Sequence, residues 1–217
     1  MNGMETTPRQ AGEVDITELL SLGAATLGES GATPLSPRIS SMWKGAQFAG
    51  PAATVACAAG DNLAIHAAVA HATPGTVLAV SFAGDSVRGY WGEVLTTAAE
   101  AAGLVALVID GEVRDVAAVE RRGFPVFARG VALRGATKLG PGSVGEPIVL
   151  GDVIVRPGDW LVGDADGVVA IRAQDVAACR TAAASRAAKE ARFFEQLRSG
   201  QTTVGLLSLD TSPIRMR

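Results

Sequence analysis

Two glycine-bearing segments hold the side chains best placed for chemistry. One is residues 84–93 (GDSVRGYWGE), after the apolar run 76–82 (TVLAVSF); the other is 110–115 (DGEVRD), after the apolar run 104–109. In α/β sheets, ligands collect where strand C-termini meet helix N-termini, so adjacent strands would turn both segments toward one pocket. Gly89 and Gly92 permit close backbone approach, and the amides of Glu93, Val94 and Leu95 open the helix that follows. Such amides, with the helix dipole, suit a carboxylate. The spacing is neither GxGxxG nor a P-loop, and glycines that merely shape a turn explain it too. Arg114-Asp115 reads as the first turn of the next helix. The dipole disfavours an arginine there unless it meets an anion and favours the aspartate, which can also hold Mg²⁺ with several waters. A surface arginine beside an ordinary helix-start aspartate fits equally well.

The remaining candidates carry less. His66 and His71 are five apart and do not share a helix face as a zinc pair would, so His66 reads as structural. Ser81, Ser86 and Ser143 lack a GxSxG context. Lys44, Lys138 and Lys189 lie outside the apolar runs where burial would depress an amine pKa, which argues against Schiff-base chemistry. Asp164-Ala165-Asp166-Gly167 lacks the other ligands of a calcium loop and reads as a hairpin turn. Cys57 and Cys179 read as buried thiols and not as a disulfide framework.

Composition narrows the class. The 217 residues suit one domain, 48% of them are hydrophobic and only 5% aromatic, so the core is built from small and branched side chains. A net charge of −3, with no basic run longer than Arg121-Arg122, gives no face for nucleic acid. No segment has the roughly 20 apolar residues of a membrane span, and residues 1–14 lack a leader pattern; both point to the cytoplasm.

The elements that must position these groups follow from periodicity. Residues 1–12 read as a flexible arm, 13–200 as a single domain and 201–217 as a tail. A helix from about 13 to 28 precedes a short buried strand at 54–58. Asp61 caps a helix over 62–72, followed by strand 76–82, helix 93–102, strand 104–109, a helix from about 113 to 123, and strand 124–128. This is an α/β unit with parallel strands. Short strands at 148–150, 153–155, 160–162 and 168–171, separated by Gly-Asp and Asp-Gly turns, predict an antiparallel β layer. An Ala-rich helix over 173–199 closes the domain.

Taken together, these pieces resemble the superfamily of the 4-hydroxy-4-methyl-2-oxoglutarate (4-carboxy-4-hydroxy-2-oxoadipate) aldolases and the RraA-like proteins, named for the regulator of ribonuclease E activity A. The similarity runs from about residue 16 to 200 through GAATLGESG (23–31), GDNLAIHAA (60–68), YWGEVLTTAAEAAGLVALVIDGEVRD (90–115) and VRPGDWLVGDADGVVAI (155–171). Its sharpest element is an acid, twenty residues, then Arg-Asp: here Glu93, Arg114 and Asp115. The resemblance implies a swivelling β/β/α-type domain, assembled as homotrimers or hexamers. It implies that Asp115 ligates Mg²⁺ or Mn²⁺, that Glu93 holds metal-bound water, and that Arg114 contacts the keto oxygen or carboxylate of a 2-oxo acid. Gly92, Val94 and Leu95 would cradle the pyruvyl carboxylate. Glu190, and less directly Glu29, would reach a neighbouring subunit's site; the family often has His before that Glu, where this chain has Gly28. The implied activity is a metal-dependent aldolase cleaving 4-hydroxy-2-oxo acids to pyruvate, with oxaloacetate decarboxylation as a second reaction. A ribonuclease-inhibiting regulator, which needs no metal, is the alternative within the same superfamily.

Overall fold

The computed structural model describes residues 14–215. Within it the strands are β1 (Thr33–Pro34), β2 (Ser40–Ser41), β3 (Phe48–Ala58), β4 (Val77–Ala83), β5 (Gly89–Trp91), β6 (Ala106–Ile109) and β7 (Glu112–Val113). They continue with β8 (Val126–Ala128), β9 (Gly130–Val131), β10 (Gly142–Val144), β11 (Ile148–Leu150), β12 (Val153–Val155), β13 (Trp160–Asp164) and β14 (Gly167–Ile171). The helices are α1 (Ile16–Gly28), α2 (Leu63–Ala70), α3 (Glu93–Ala101), α4 (Val116–Arg122), α5 (Val176–Arg198) and α6 (Thr203–Leu206). The proposed arm, residues 1–12, lies outside the described residues.

One sheet runs β1-β14-β13-β3-β4-β6-β8-β2, with β10 also paired to β3. Its middle, β3-β4-β6-β8, is parallel, and its β1-β14-β13 side is antiparallel. The parallel strands are buried on both faces, which is why they read as unbroken apolar runs. Leu78, Val80, Leu107 and Ile109 point into the core under α2, α3 and α4. Val77, Ala79, Ala106 and Val108 point the other way, against the antiparallel hairpin β11–β12 through Ile148, Leu150 and Val155. Helices, sheet and a second β layer stack in that order, so the mixed α/β expectation holds. A third core joins α1 and the start of α5 to β13 and β14, through Leu19, Leu27, Val169, Cys179 and Ala183.

Three boundaries differ from the sequence reading. β3 begins at Phe48, well before residue 54, because its first half pairs with β13 (Trp160↔Pro51 to Gly163↔Phe48) and its second half with β4; Pro51 sits at the changeover and does not break it. The helix expected from residue 113 starts at Val116. Glu112–Val113 is instead a strand, held between β5 and β9. Arg114 and Asp115 therefore precede the helix, and the first-turn argument for them is corrected to an N-cap argument. Residues 203–206 of the expected tail form a helical turn, with the Thr202 side chain accepting from the Gly205 amide. Cys57 and Cys179 are both buried and free, and burial pushes the Cys57 thiol up to about 11. Among the described residues no helix is long and apolar enough to cross a membrane.

Candidate functional site

β4 and β6 are adjacent and parallel, from Val77↔Ala106 to Val80↔Ile109. The loops leaving their C-terminal ends meet as the expectation required. Gly89 pairs with Glu112 and Trp91 with Val113, and β7 pairs in turn with β9. The Arg114 amide donates to Trp91 O at 2.8 Å, so the end of one loop fixes the start of the other. Behind them, the buried Trp91 donates Nε1–H to Thr96 Oγ1 at 2.7 Å, and that hydroxyl donates to Gly92 O at 3.1 Å. The first turn of α3 is thereby pinned to β5.

Asp115 is the N-cap of α4 in the left-handed region, φ 58° and ψ 32°. Few residues other than glycine adopt it, aspartate and asparagine most readily, and such backbone strain clusters at functional sites. From there Asp115 Oδ2 accepts the Glu93 amide at 3.0 Å and lies 3.7 Å from Arg114 Nε. The two glycines are required by this approach. A Cβ at Gly92 would overlap Asp115 Oδ2, and a Cβ at Gly89 would overlap the Ala132 carbonyl oxygen and sit 3.2 Å from Arg114 Cβ and Cδ. At Gly92 what comes closest is thus the Arg-Asp pair itself, and at Gly89 it is the Ala132 carbonyl, with Arg114 next. The Glu93 amide is already engaged, which leaves the Val94 and Leu95 amides as the open donors of α3.

The cavity beside this pair holds about 190 Å³ and is lined by Gly92, Val94, Leu95, Arg114 and Asp115, and from another side by Asn62, His66 and Lys138. Lys138 has no carboxylate within ion-pair distance among the described residues, and burial, then Lys138, holds His66 below its usual range. The segment carrying Lys138 is anchored by Asp61, which accepts Thr137 Oγ1–H and the Leu139 amide, each at 2.7 Å, and the Leu63 amide at 2.8 Å. Burial alone would raise the Asp61 pKa, but these bonds together outweigh it and hold the carboxyl well below the carboxylate range.

Arg114, Asp115 and the backbone of Gly92–Leu95 are brought together; the side chains of Glu93 and Glu190 are not part of this cavity in the single chain. The Glu93 carboxylate pairs with Arg122 at 3.2 Å, and Arg122 also reaches Glu100 at 3.0 Å. Glu190 pairs with Arg186 at 2.9 Å, and Arg186 also meets Glu29, so the two distant acids converge on one arginine. Beyond Ala183, α5 has no buried residue, and its second half, with Glu190, stands away from the cores. The residues that sequence reasoning missed are Asn62, His66 and Lys138. The signal was Asn62 and His66 at i, i+4, one face of a helix beginning beside the site.

A divalent cation fits a limited way. Asp115 Oδ1 makes no bond among the described residues, but no three His, Cys, Asp or Glu side chains there are clustered for a metal. That suits an ion which keeps most of its waters and takes one or two carboxylates, as Mg²⁺ does.

Fold and site together define a layered α/β domain with an Arg-Asp pair and a helix N-terminus facing one cleft. Residues 18–170 match the family described as RraA-like, aldolase/RraA. The chain belongs to this family. It is 36% identical over 184 residues to a provisionally named 4-hydroxy-4-methyl-2-oxoglutarate aldolase of Halalkalibacterium halodurans, covering 83% of this chain and 88% of that one. Among solved structures, an uncharacterised protein of Pseudomonas syringae superposes with a TM-score of 0.76 at 26% identity, over 91% of this chain and 96% of that one. The RNA-processing inhibitor RraA of Thermus thermophilus superposes at 0.61, also at 26% identity, over 73% of this chain and 93% of that one.

Proposed function

We propose that the chain is a divalent-metal-dependent lyase that cleaves 4-hydroxy-2-oxo acids to pyruvate and a second carbonyl compound, and that it also decarboxylates oxaloacetate. The observation that carries this reading is Asp115 seated in the left-handed region with its carboxylate on the Glu93 amide and Arg114 alongside. A strained acid, a guanidinium and two open helix amides around one cleft match the demands of an enolate-forming reaction. The Val94 and Leu95 amides would bind the C1 carboxylate. Arg114 would neutralise the charge that develops on the C2 oxygen as the C3–C4 bond breaks. Asp115 would hold Mg²⁺ or Mn²⁺, which when bound supplies Lewis-acid polarisation of the 2-oxo acid. Glu93, and Glu190 of a neighbouring copy in a homotrimer or hexamer, are the acids proposed to handle the protons displaced by cleavage. In the single chain each rests on an arginine, Arg122 or Arg186.

The test is pyruvate release from a panel of 4-hydroxy-2-oxo acids and from oxaloacetate, with Mg²⁺ and with chelator. Release from both classes, lost with chelator, supports the reading; release from neither sinks it. The likeness to the Thermus inhibitor favours one other reading, a protein-binding regulator of a ribonuclease. It gains ground only if no lyase activity is found and a purified ribonuclease is inhibited.

A further inference from the structure

Two side chains on α2 and its cap that line the cavity each hold a buried polar atom with no partner among the described residues. Asn62 is 5% exposed. Its Nδ2 donates to Tyr90 O at 2.8 Å, which fixes the amide and leaves Oδ1 bare. One helical turn later His66 Nε2 is also buried and bare, and both residues line the same cleft as Arg114 and Asp115. A buried polar atom without a partner costs on the order of 1–3 kcal/mol. Two of them four residues apart, on side chains that line one cleft, indicate a ligand group that completes both.

The chemistry of that group is constrained. Asn62 Oδ1 can only accept, so it needs a donor; an imidazole nitrogen can pair with either kind. The carboxylates and keto oxygen of a 2-oxo acid are acceptors only. A hydroxyl both donates and accepts. Resting on the aldolase reading above, we propose that Asn62 Oδ1 and His66 Nε2 form the site for the C4 hydroxyl, the group whose carbon becomes the second carbonyl product. Asn62 accepts the hydroxyl hydrogen, and His66 donates to the hydroxyl oxygen. The α3 amides and Arg114 hold the pyruvyl end of the same molecule. Selection for 4-hydroxy substrates over 4-deoxy ones would then reside on α2, because a ligand lacking the hydroxyl leaves both atoms unpaired.

The discriminating comparison uses oxaloacetate, which has no C4 hydroxyl, and 2-oxoglutarate, which has the skeleton of 4-hydroxy-2-oxoglutarate without it. In Asn62→Ala and His66→Ala, the ratio of 4-hydroxy-2-oxoglutarate cleavage to oxaloacetate decarboxylation, each as kcat/KM, is expected to fall about 30-fold. His66→Gln, which restores an N–H donor, should recover part of that ratio. The inhibition constant of 2-oxoglutarate should stay the same across the series. Parallel loss of both activities, or a rise in that constant alongside the loss of cleavage, would overturn the proposal. Should Asn62→Ala fail to fold, the His66 pair decides it. If the wild-type protein performs neither reaction, the aldolase reading itself has failed and the hydroxyl site falls with it.

Discussion

Asp115 Oδ2 accepts a hydrogen bond from the Glu93 amide at 3.0 Å, across a gap of 22 residues. That one contact joins the cap of α4 to the first turn of α3. It orients the carboxylate toward the cleft, and it brings the Arg114 side chain alongside. Replacing Asp115 by Asn keeps an oxygen for the Glu93 amide and tolerates the left-handed backbone, but removes the charge. The expected result is a folded protein whose Mn²⁺ affinity, measured by calorimetry, drops at least tenfold while its melting temperature moves little. An unchanged affinity would take Asp115 out of the metal role.

Arg114 is half-exposed and, among the described residues, pairs with no carboxylate but that of Asp115. Its truncation therefore costs the fold little. Arg114→Ala is expected to lose about 3 kcal/mol of transition-state stabilisation, roughly a hundredfold in kcat/KM for pyruvate release. Retention of the full rate would refute the assigned role.

Gly92 has an extended backbone (φ −163°), so any residue could adopt its conformation. The obstacle is space, since an added Cβ would overlap Asp115 Oδ2 and approach Arg114 Cγ to 3.1 Å. Gly92→Ala should displace the Arg-Asp pair. Activity is expected to fall at least a hundredfold with a loss of stability of only about 1–2 kcal/mol, seen by comparing turnover with urea unfolding.

The parts of this arrangement that were legible in the sequence are those set by local pattern. The runs 76–82 and 104–109 are apolar without interruption because both faces of β4 and β6 are covered, and their adjacency followed from the α/β alternation. The left-handed Asp115 was not legible. Residues 112–115 look like a helix start, and only the pairing of Glu112–Val113 with Gly89–Trp91 and Gly130–Val131 makes them a strand and a cap. The Glu93–Arg122 pair was hidden for a related reason: it crosses between α3 and α4, whose facing sides depend on packing. His66 looked structural, and Asn62 read only as the start of a helix, because the chemistry of both depends on a cavity wall supplied by Gly135, Ala136 and Lys138, far along the chain.

Asp61 gives the stability of the cavity a pH dependence. Its folded pKa lies below the ordinary carboxylate value of about 3.9. The stabilisation from its ionised form is therefore complete above that unfolded value and is lost as pH falls toward the folded one. Asp61→Asn should cost about 2 kcal/mol at pH 7, because an amide accepts fewer of the three bonds from Leu63, Thr137 and Leu139. Urea midpoints for both proteins should be separated by a constant gap from pH 7 to 5, narrowing below pH 4. A gap that stayed constant down to pH 3 would rule out ionised Asp61 as the anchor.

Both thiols are buried, and Cys57 is held up to about 11 by its removal from water, with Asp61 adding to the effect. The attacking species is the thiolate, so neither burial nor acidity favours reaction. Native protein at pH 8 should show no fast thiol with an aromatic disulfide reagent, and two thiols once it is unfolded in guanidinium. Cys57 sits on β3, whose residues 55–57 pair with β10, so its labelling requires that edge to open. Cys179 is sealed by α1, with its Sγ 3.8 Å from Leu27 O, so its labelling instead reports separation of α5 from α1. Labelling each residue under mildly destabilising conditions therefore measures the opening of two different cores. Cys57 should follow the site, becoming reactive at a lower denaturant concentration in Asp61→Asn, while Cys179 keeps its wild-type profile. Equal acceleration of both thiols in that variant would mean that the two ends of the sheet open as one unit, and the assignment of Asp61 to the local cavity would have to be abandoned.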